Sequence, residues 1–146
     1  MGGGLLFVYA LGIGVPFFLI GVCRHGDRRP FDSLPAMCSE DEWEKACKGP
    51  GNARWPYGNV FDANACNTED DTGEDRVISP SGRFAKCRSG FGVADLSGNA
   101  SEWTSEKVIK GGSFGRADFA VRCSARQAGT GGKSSEVGFR CCSDSK

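Results

Sequence analysis

GVADLSGNASEW, residues 92–103, is the stretch on which the reading of this chain turns. Asp95 and Glu102 bring two carboxylates to either side of a tight, glycine-containing turn whose main chain offers several carbonyl oxygens. Calcium takes six to eight oxygens at about 2.3–2.6 Å and often mixes these ligand types. The spacing is not that of an EF-hand loop. Asn99-Ala100-Ser101 also spells a glycosylation sequon, but a turn asparagine beside a packed Trp103 makes a poor acceptor. Around this turn, short strands are expected near Gly92–Leu96, Lys107–Gly111, Phe119–Ala125 and Val137–Cys142. In the last, Val137, Phe139 and Cys141 face one side while Gly138, Arg140 and Cys142 face the other. The adjacent Cys141 and Cys142 therefore point opposite ways and have different fates.

Upstream, Ser39-Glu40-Asp41-Glu42 is a capping box, in which Ser39 accepts from the N3 amide and Glu42 reaches back. Trp43, Ala46 and Cys47 then fall at i, i+3 and i+4, giving a short helix with one apolar face. Gly49-Pro50-Gly51 stops it. From Asn52 to Gly90 there is no helical period, only a long loop region with Trp55, Pro56, Tyr57 and Phe61 available for packing. Residues 129–135 (GTGGKSS) read as a flexible surface loop.

The chain has 146 residues, room for one domain. Its 18 Lys+Arg balance 18 Asp+Glu, so it carries no electrostatic footprint for nucleic acid. A single histidine, His25, excludes both a histidine metal cage and a Ser-His-Asp triad. Twenty-two glycines and six prolines forecast a loop-rich domain of short elements. No charged side chain precedes Arg24, and Leu5–Val22 is an unbroken apolar run. At about 1.5 Å per residue it just spans a bilayer core of about 30 Å, so a transmembrane helix is expected over residues 4–22. The segment Gly4–Gly21 resembles a transmembrane helix of the cytochrome c biogenesis family. Arg24, Arg28 and Arg29 follow it, and the positive-inside rule would keep the globular part in the cytoplasm. Eight cysteines argue the reverse, because disulfide-dense small domains belong to oxidising compartments. The cysteines are weighted more heavily, which gives a membrane-anchored protein with its globular part extracytoplasmic, periplasmic or extracellular.

Four segments recur in a telling order: SEDEWEKAC at 39–47, GVADLSGNASEW at 92–103, VIKGGSF at 108–114, and RCSAR at 122–126 with GFRC at 138–141. Together with Tyr57-Gly58-Asn59 and Cys66-Asn67-Thr68, they resemble the C-terminal half of a formylglycine-generating enzyme, or sulfatase-modifying factor, domain. The resemblance assigns residues 32–146 to that domain. It implies an α+β, C-type lectin-like fold of the sulfatase-modifying factor type, loop-rich and here without the upstream portion of the family domain. It also implies oxidation of a protein cysteine to formylglycine at a copper site of two cysteines between the GGS[FY] and RC elements. In this chain that interval, residues 115–121, reads GRADFAV and holds no cysteine. A soft Cu(I) site needs thiolates, so copper is not expected and no catalytic residue is assigned. The alternative is an active enzyme of the family whose cysteine is supplied unconventionally, for example by Cys142.

The resemblance implies two calcium sites. Asp95 and Glu102 would supply side chains to the first, and Gly98 and Ala100 carbonyl oxygens. Asn67, Thr68, Asp75 and Val77 would form the second, within the acidic run 69–75. It also implies a Cys47–Cys123 disulfide. Position alone suggests Cys66 with Cys87, and Cys38 with Cys141 or Cys142. Arg122, Arg126 and Arg140 are read either as a groove for an anion or peptide carboxylate, or as framework partners of Asp and Glu. The expected role is a calcium-stabilised, disulfide-linked binding or recognition module for a protein or peptide ligand, held at the membrane by its N-terminal helix.

Overall fold

The computed structural model describes residues 9–10 (backbone), 36–69, 76–129 and 134–142. The chain enters its one described α-helix, α1 (Glu40–Lys48), through the capping box that the sequence spells. Ser39 Oγ accepts from the Glu42 amide at 3.3 Å, and the Glu42 carboxylate accepts from the Ser39 amide at 2.8 Å. Trp43, Ala46 and Cys47 form the buried face. Gly49 closes the helix at φ 63°, its amide donating to the Lys45 carbonyl.

Six short strands lie among the described residues: β1 (Tyr9–Ala10), β2 (Ala36–Met37), β3 (Ser101–Trp103), β4 (Val108–Lys110), β5 (Gln127–Ala128) and β6 (Val137–Cys142). They are ordered β1-β6-β3-β4-β5, with β2 also on β6. At the centre β3 runs antiparallel to β4, with Glu102 opposite Lys110, and parallel to β6, with Glu102 opposite Gly138. A parallel pair cannot be closed by a hairpin, and the intervening chain supplies β4, β5 and a 3-10 turn at Asp118–Val121. β6 receives β1 at Phe139–Arg140 and β2 at Cys141–Cys142.

The core is small, and α1 packs into it beside the sheet. Its cluster comprises Cys38, Trp43, Ala46, Cys47, Val93, Leu96, Cys123 and Cys142, so that four of its eight members are cysteines. Covalent bonds occupy space that larger aliphatic side chains fill in bigger domains. Each bridge contributes on the order of 2–4 kcal/mol, chiefly by restricting the unfolded chain.

The expected strands at Lys107–Gly111 and Val137–Cys142 correspond to β4 and β6. The expected strand at Gly92–Leu96 is reduced to a single bridge between Arg88 and Ala94, because Gly92 (φ 80°) and Asp95 (φ 57°) turn the chain out of an extended path. Phe119–Ala125 is not a strand: Asp118 at φ 38° starts the 3-10 turn there. The transmembrane helix expected over 4–22 lies outside the described residues except at Tyr9–Ala10, which are extended and paired with β6. Among the described residues no helix is long and apolar enough to cross a membrane.

Candidate functional site

The Asp95–Glu102 turn is built by close backbone approach. Gly98 sits at φ 70°, and a Cβ there would run into the Asn67 carbonyl. Its amide donates to Gly111 O at 2.9 Å, and the Asn99 amide to Asn67 O at 2.7 Å. The Asn99 side chain is enclosed, 5% exposed. Its Oδ1 accepts from Asn67 Nδ2 (2.9 Å) and the Ser79 amide (2.8 Å), while Nδ2 donates to Ser79 O (3.0 Å). A sequon whose asparagine is consumed in this way presents no free amide to a transferase.

The two carboxylates flanking the turn are committed to different partners. Asp95 Oδ2 accepts from Ser81 Oγ and the Gly82 amide, each at 2.7 Å, and so closes the 81–82 turn. Glu102 points into the core, where it is 4% exposed. Its oxygens receive Arg140 Nε (2.5 Å), Arg140 Nη2 (2.6 Å) and Trp43 Nε1 (2.5 Å). Gly98 and Ala100 are present, yet with Glu102 occupied by a guanidinium and an indole the set Asp95, Gly98, Ala100 and Glu102 does not fit a calcium ion. Among the described residues, no three His, Cys, Asp or Glu side chains come together as a metal cluster.

The second set is partly assembled. Asn67 and Thr68 are buried, at 3% and 0% exposure. Asn67 Nδ2 lies 2.9 Å from the Val77 carbonyl oxygen, which brings the neutral members of an oxygen-rich set together; Asp75 lies outside the described residues. In this arrangement the Val77 carbonyl accepts from the Asn67 amide, and the Thr68 hydroxyl donates to Ala63 O.

Cys47 is bonded to Cys123, Cys66 to Cys87, and Cys38 to Cys142 rather than Cys141. Cys141 is disulfide-bonded as well, and among the described residues no cysteine is free. Cys142 therefore has no thiol to offer as an unconventional catalytic group. Disulfides form and persist in oxidising compartments, so these bridges indicate an extracytoplasmic setting.

The segment 115–122 stands where the family resemblance puts chemistry, and here it packs on aromatic rings. Trp55 Nε1 donates to Asp118 O at 3.3 Å, and the Arg122 guanidinium lies 5.3 Å from the Trp55 ring centroid. Tyr57 stacks on Trp55 at 6.5 Å, and Phe61 tilts against it at 5.7 Å. Burial raises the Tyr57 phenol above its ordinary value; the carboxylates of Asp62 and Asp118 add to this, opposed by the Asp62 amide bonded to its oxygen. Phe119 stands out of this face, 74% exposed.

The arginines do not line one groove. Arg122 pairs with Asp118 at 2.8 Å, Arg126 with Glu40 at 3.0 Å, and Arg140 with Glu102. Lys110 was not singled out from the sequence. It is 1% exposed and reaches Glu44 at 3.0 Å and Glu40 at 3.5 Å, 5.6 Å from the Trp43 ring centroid. A lysine in a short β-strand next to a glycine pair carries no signal of burial, because the partners that enclose it lie some 70 residues upstream.

Residues 32–145 match the family model described as the sulfatase-modifying factor enzyme 1-like domain. The chain is 31% identical over 129 residues to the inactive C-alpha-formylglycine-generating enzyme 2 of Bos taurus, covering 72% of this chain and 42% of that protein. It is 32% identical to the formylglycine-generating enzyme of Bos taurus, covering 73% of this chain and 38% of that protein. It thus spans less than half the length of the curated relatives it matches. Among solved structures, PvdO from Pseudomonas aeruginosa superposes with a TM-score of 0.63 at 24% identity, over 77% of this chain and 53% of that one. On the family match across most of its length, the chain belongs to the sulfatase-modifying factor enzyme 1-like domain family.

Proposed function

We propose that this chain is a non-catalytic recognition module of its family, C-type lectin-like in architecture and extracytoplasmic. The observation that carries this reading is the interval 115–121, which holds no cysteine where the family places its catalytic pair. The disulfides support it, since no described cysteine retains a thiol for copper. The exposed Phe119 on its aromatic bed is the natural contact point for a protein or peptide ligand. Calcium belongs to this reading at Asn67, Thr68, Asp75 and Val77, where it would tie residues 67–68 to 75–77.

The test is direct. The full chain, treated with Cu(I) and incubated in air with a cysteine-containing peptide, is expected to yield no aldehyde that a hydrazine probe can trap. Aldehyde formation above a copper-only control overturns the non-catalytic reading. For the metal, calcium is expected to raise the melting temperature relative to chelator, and Asp75→Asn to remove that rise. Identical melts in both conditions would dismiss the second set.

A further inference from the structure

We propose that Arg140 is the resident cation of the Asp95–Glu102 turn: its guanidinium fills, from within the chain, a latent metal site built on Glu102 and main-chain oxygens. Arg140 is fully buried, and Glu102 nearly so. Nε and Nη2 grip the two carboxylate oxygens of Glu102 in a fork. Nη2 also lies 3.3 Å from Ala94 O and 3.4 Å from Asp95 O. One carboxylate plus main-chain carbonyls is the donor set a hard divalent cation takes. Here a planar guanidinium, whose donors match a carboxylate two at a time, takes it instead.

Strand register puts the two groups in reach. Glu102 is opposite Gly138 in the parallel β3–β6 pair, so Arg140 lies two residues further along the neighbouring strand. Trp43 closes the assembly from α1 by donating to the same carboxylate. A second cation entering would face the buried guanidinium without solvent between them, and in a low-dielectric interior that repulsion is large. The turn is therefore closed to metal as long as Arg140 is present. Its removal would open a site with an indole at hydrogen-bond distance from the ligand carboxylate.

That indole supplies the readout, because a terbium ion bound at Glu102 would be sensitised by Trp43. The full-length oxidised protein is titrated with terbium alone and then with calcium as competitor, as wild type, Arg140→Ala, Arg140→Lys and Trp43→Phe. Carrying Asp75→Asn to silence the Asn67 set, the otherwise wild-type protein and Arg140→Lys are expected to show no sensitised emission that Trp43→Phe removes. Arg140→Ala is expected to gain emission that calcium competes away, and to melt at a higher temperature in calcium than in chelator. Trp43-dependent emission from the wild type that persists in Asp75→Asn overturns the proposal. So does a folded Arg140→Ala that gains neither emission nor a calcium response. If Arg140→Ala folds only when calcium is present, the proposal holds. If it folds in neither condition, Arg140→Lys decides: it must remain dark, and emission from it overturns the idea. Asp75→Asn removes any terbium or calcium response of the Asn67, Thr68, Asp75 and Val77 set and leaves that of Arg140→Ala, so the two readings fail separately.

Discussion

Arg140 and Lys110 are both buried cations, 0% and 1% exposed, yet they are held in opposite ways. Arg140 meets Glu102, a partner as deeply buried as itself, on an adjacent strand of the same sheet. Lys110 has a buried stem and ammonium, but its partners Glu40 and Glu44 are 19% and 27% exposed, on the helix rim. The difference teaches where each charge goes when its partner is lost. A bared Glu40 or Glu44 turns to water at once. A bared Glu102 or Arg140 has nowhere to turn, so that pair acts as a lock on the fold and the lysine cluster as a clasp on its edge.

The sharpest way to break this contrast is to neutralise one member of the inner pair. Glu102→Gln leaves an uncompensated guanidinium in the core and is expected to cost about 3–5 kcal/mol in urea unfolding. Replacing both residues, Glu102→Leu with Arg140→Met, should restore part of that loss, because an apolar pair carries no desolvation penalty while the Trp43 indole N–H is left without its acceptor. If single and double variants unfold alike, the pair is not a coupled unit. Lys110→Met tests the outer cluster, where the expected loss is smaller, about 1–2 kcal/mol, since the freed carboxylates rehydrate. A loss equal to that of Glu102→Gln would erase the distinction.

The smallest effect separates the two regions by pH. Burial alone would raise Glu44, but hydrogen bonds from Lys48 and Lys110 outweigh it and hold its carboxyl below the ordinary 4.5. A carboxyl lowered in the folded state contributes stability that is present above its unfolded value and lost as pH falls through the folded one. Thermal melts should therefore show a decline beginning near pH 4.5 and continuing below it. Glu44→Gln is expected to flatten part of that decline; an unchanged profile would mean that Lys110 and Lys48 give Glu44 no net support in the fold.

The helix and its capping box were legible because everything that makes α1 lies within ten residues. β4 and β6 were legible for the same reason, as Val-Ile in the one and the alternation of Val137, Phe139 and Cys141 in the other. β3, the centre of the sheet, was not. Ser101-Glu102-Trp103 is too short to show a period, and a charged residue in its middle argues against burial until Arg140 is known to wait for it. The carboxylates of the turn carry the same lesson: Asp95 and Glu102 are close in sequence, but the sheet sends them to Gly82 and Arg140. At Asp118 the left-handed backbone broke an expected strand. Chain-distant partners and positive φ angles account for these misses, and neither leaves a local mark.

One feature of β6 governs how the protein is made. Three consecutive residues of this strand, Arg140, Cys141 and Cys142, hold the buried ion pair, a disulfide and the Cys38 bridge, the last across a separation of 104 residues. The centre of the sheet is incomplete until that strand arrives, although the Cys66–Cys87 and Cys47–Cys123 bridges lie wholly upstream of it. Side-by-side half-cystines with different mates also invite the wrong cross-link while β6 is still searching for β3. Recombinant yield should therefore depend on a thiol-exchange catalyst acting after the strand is in place.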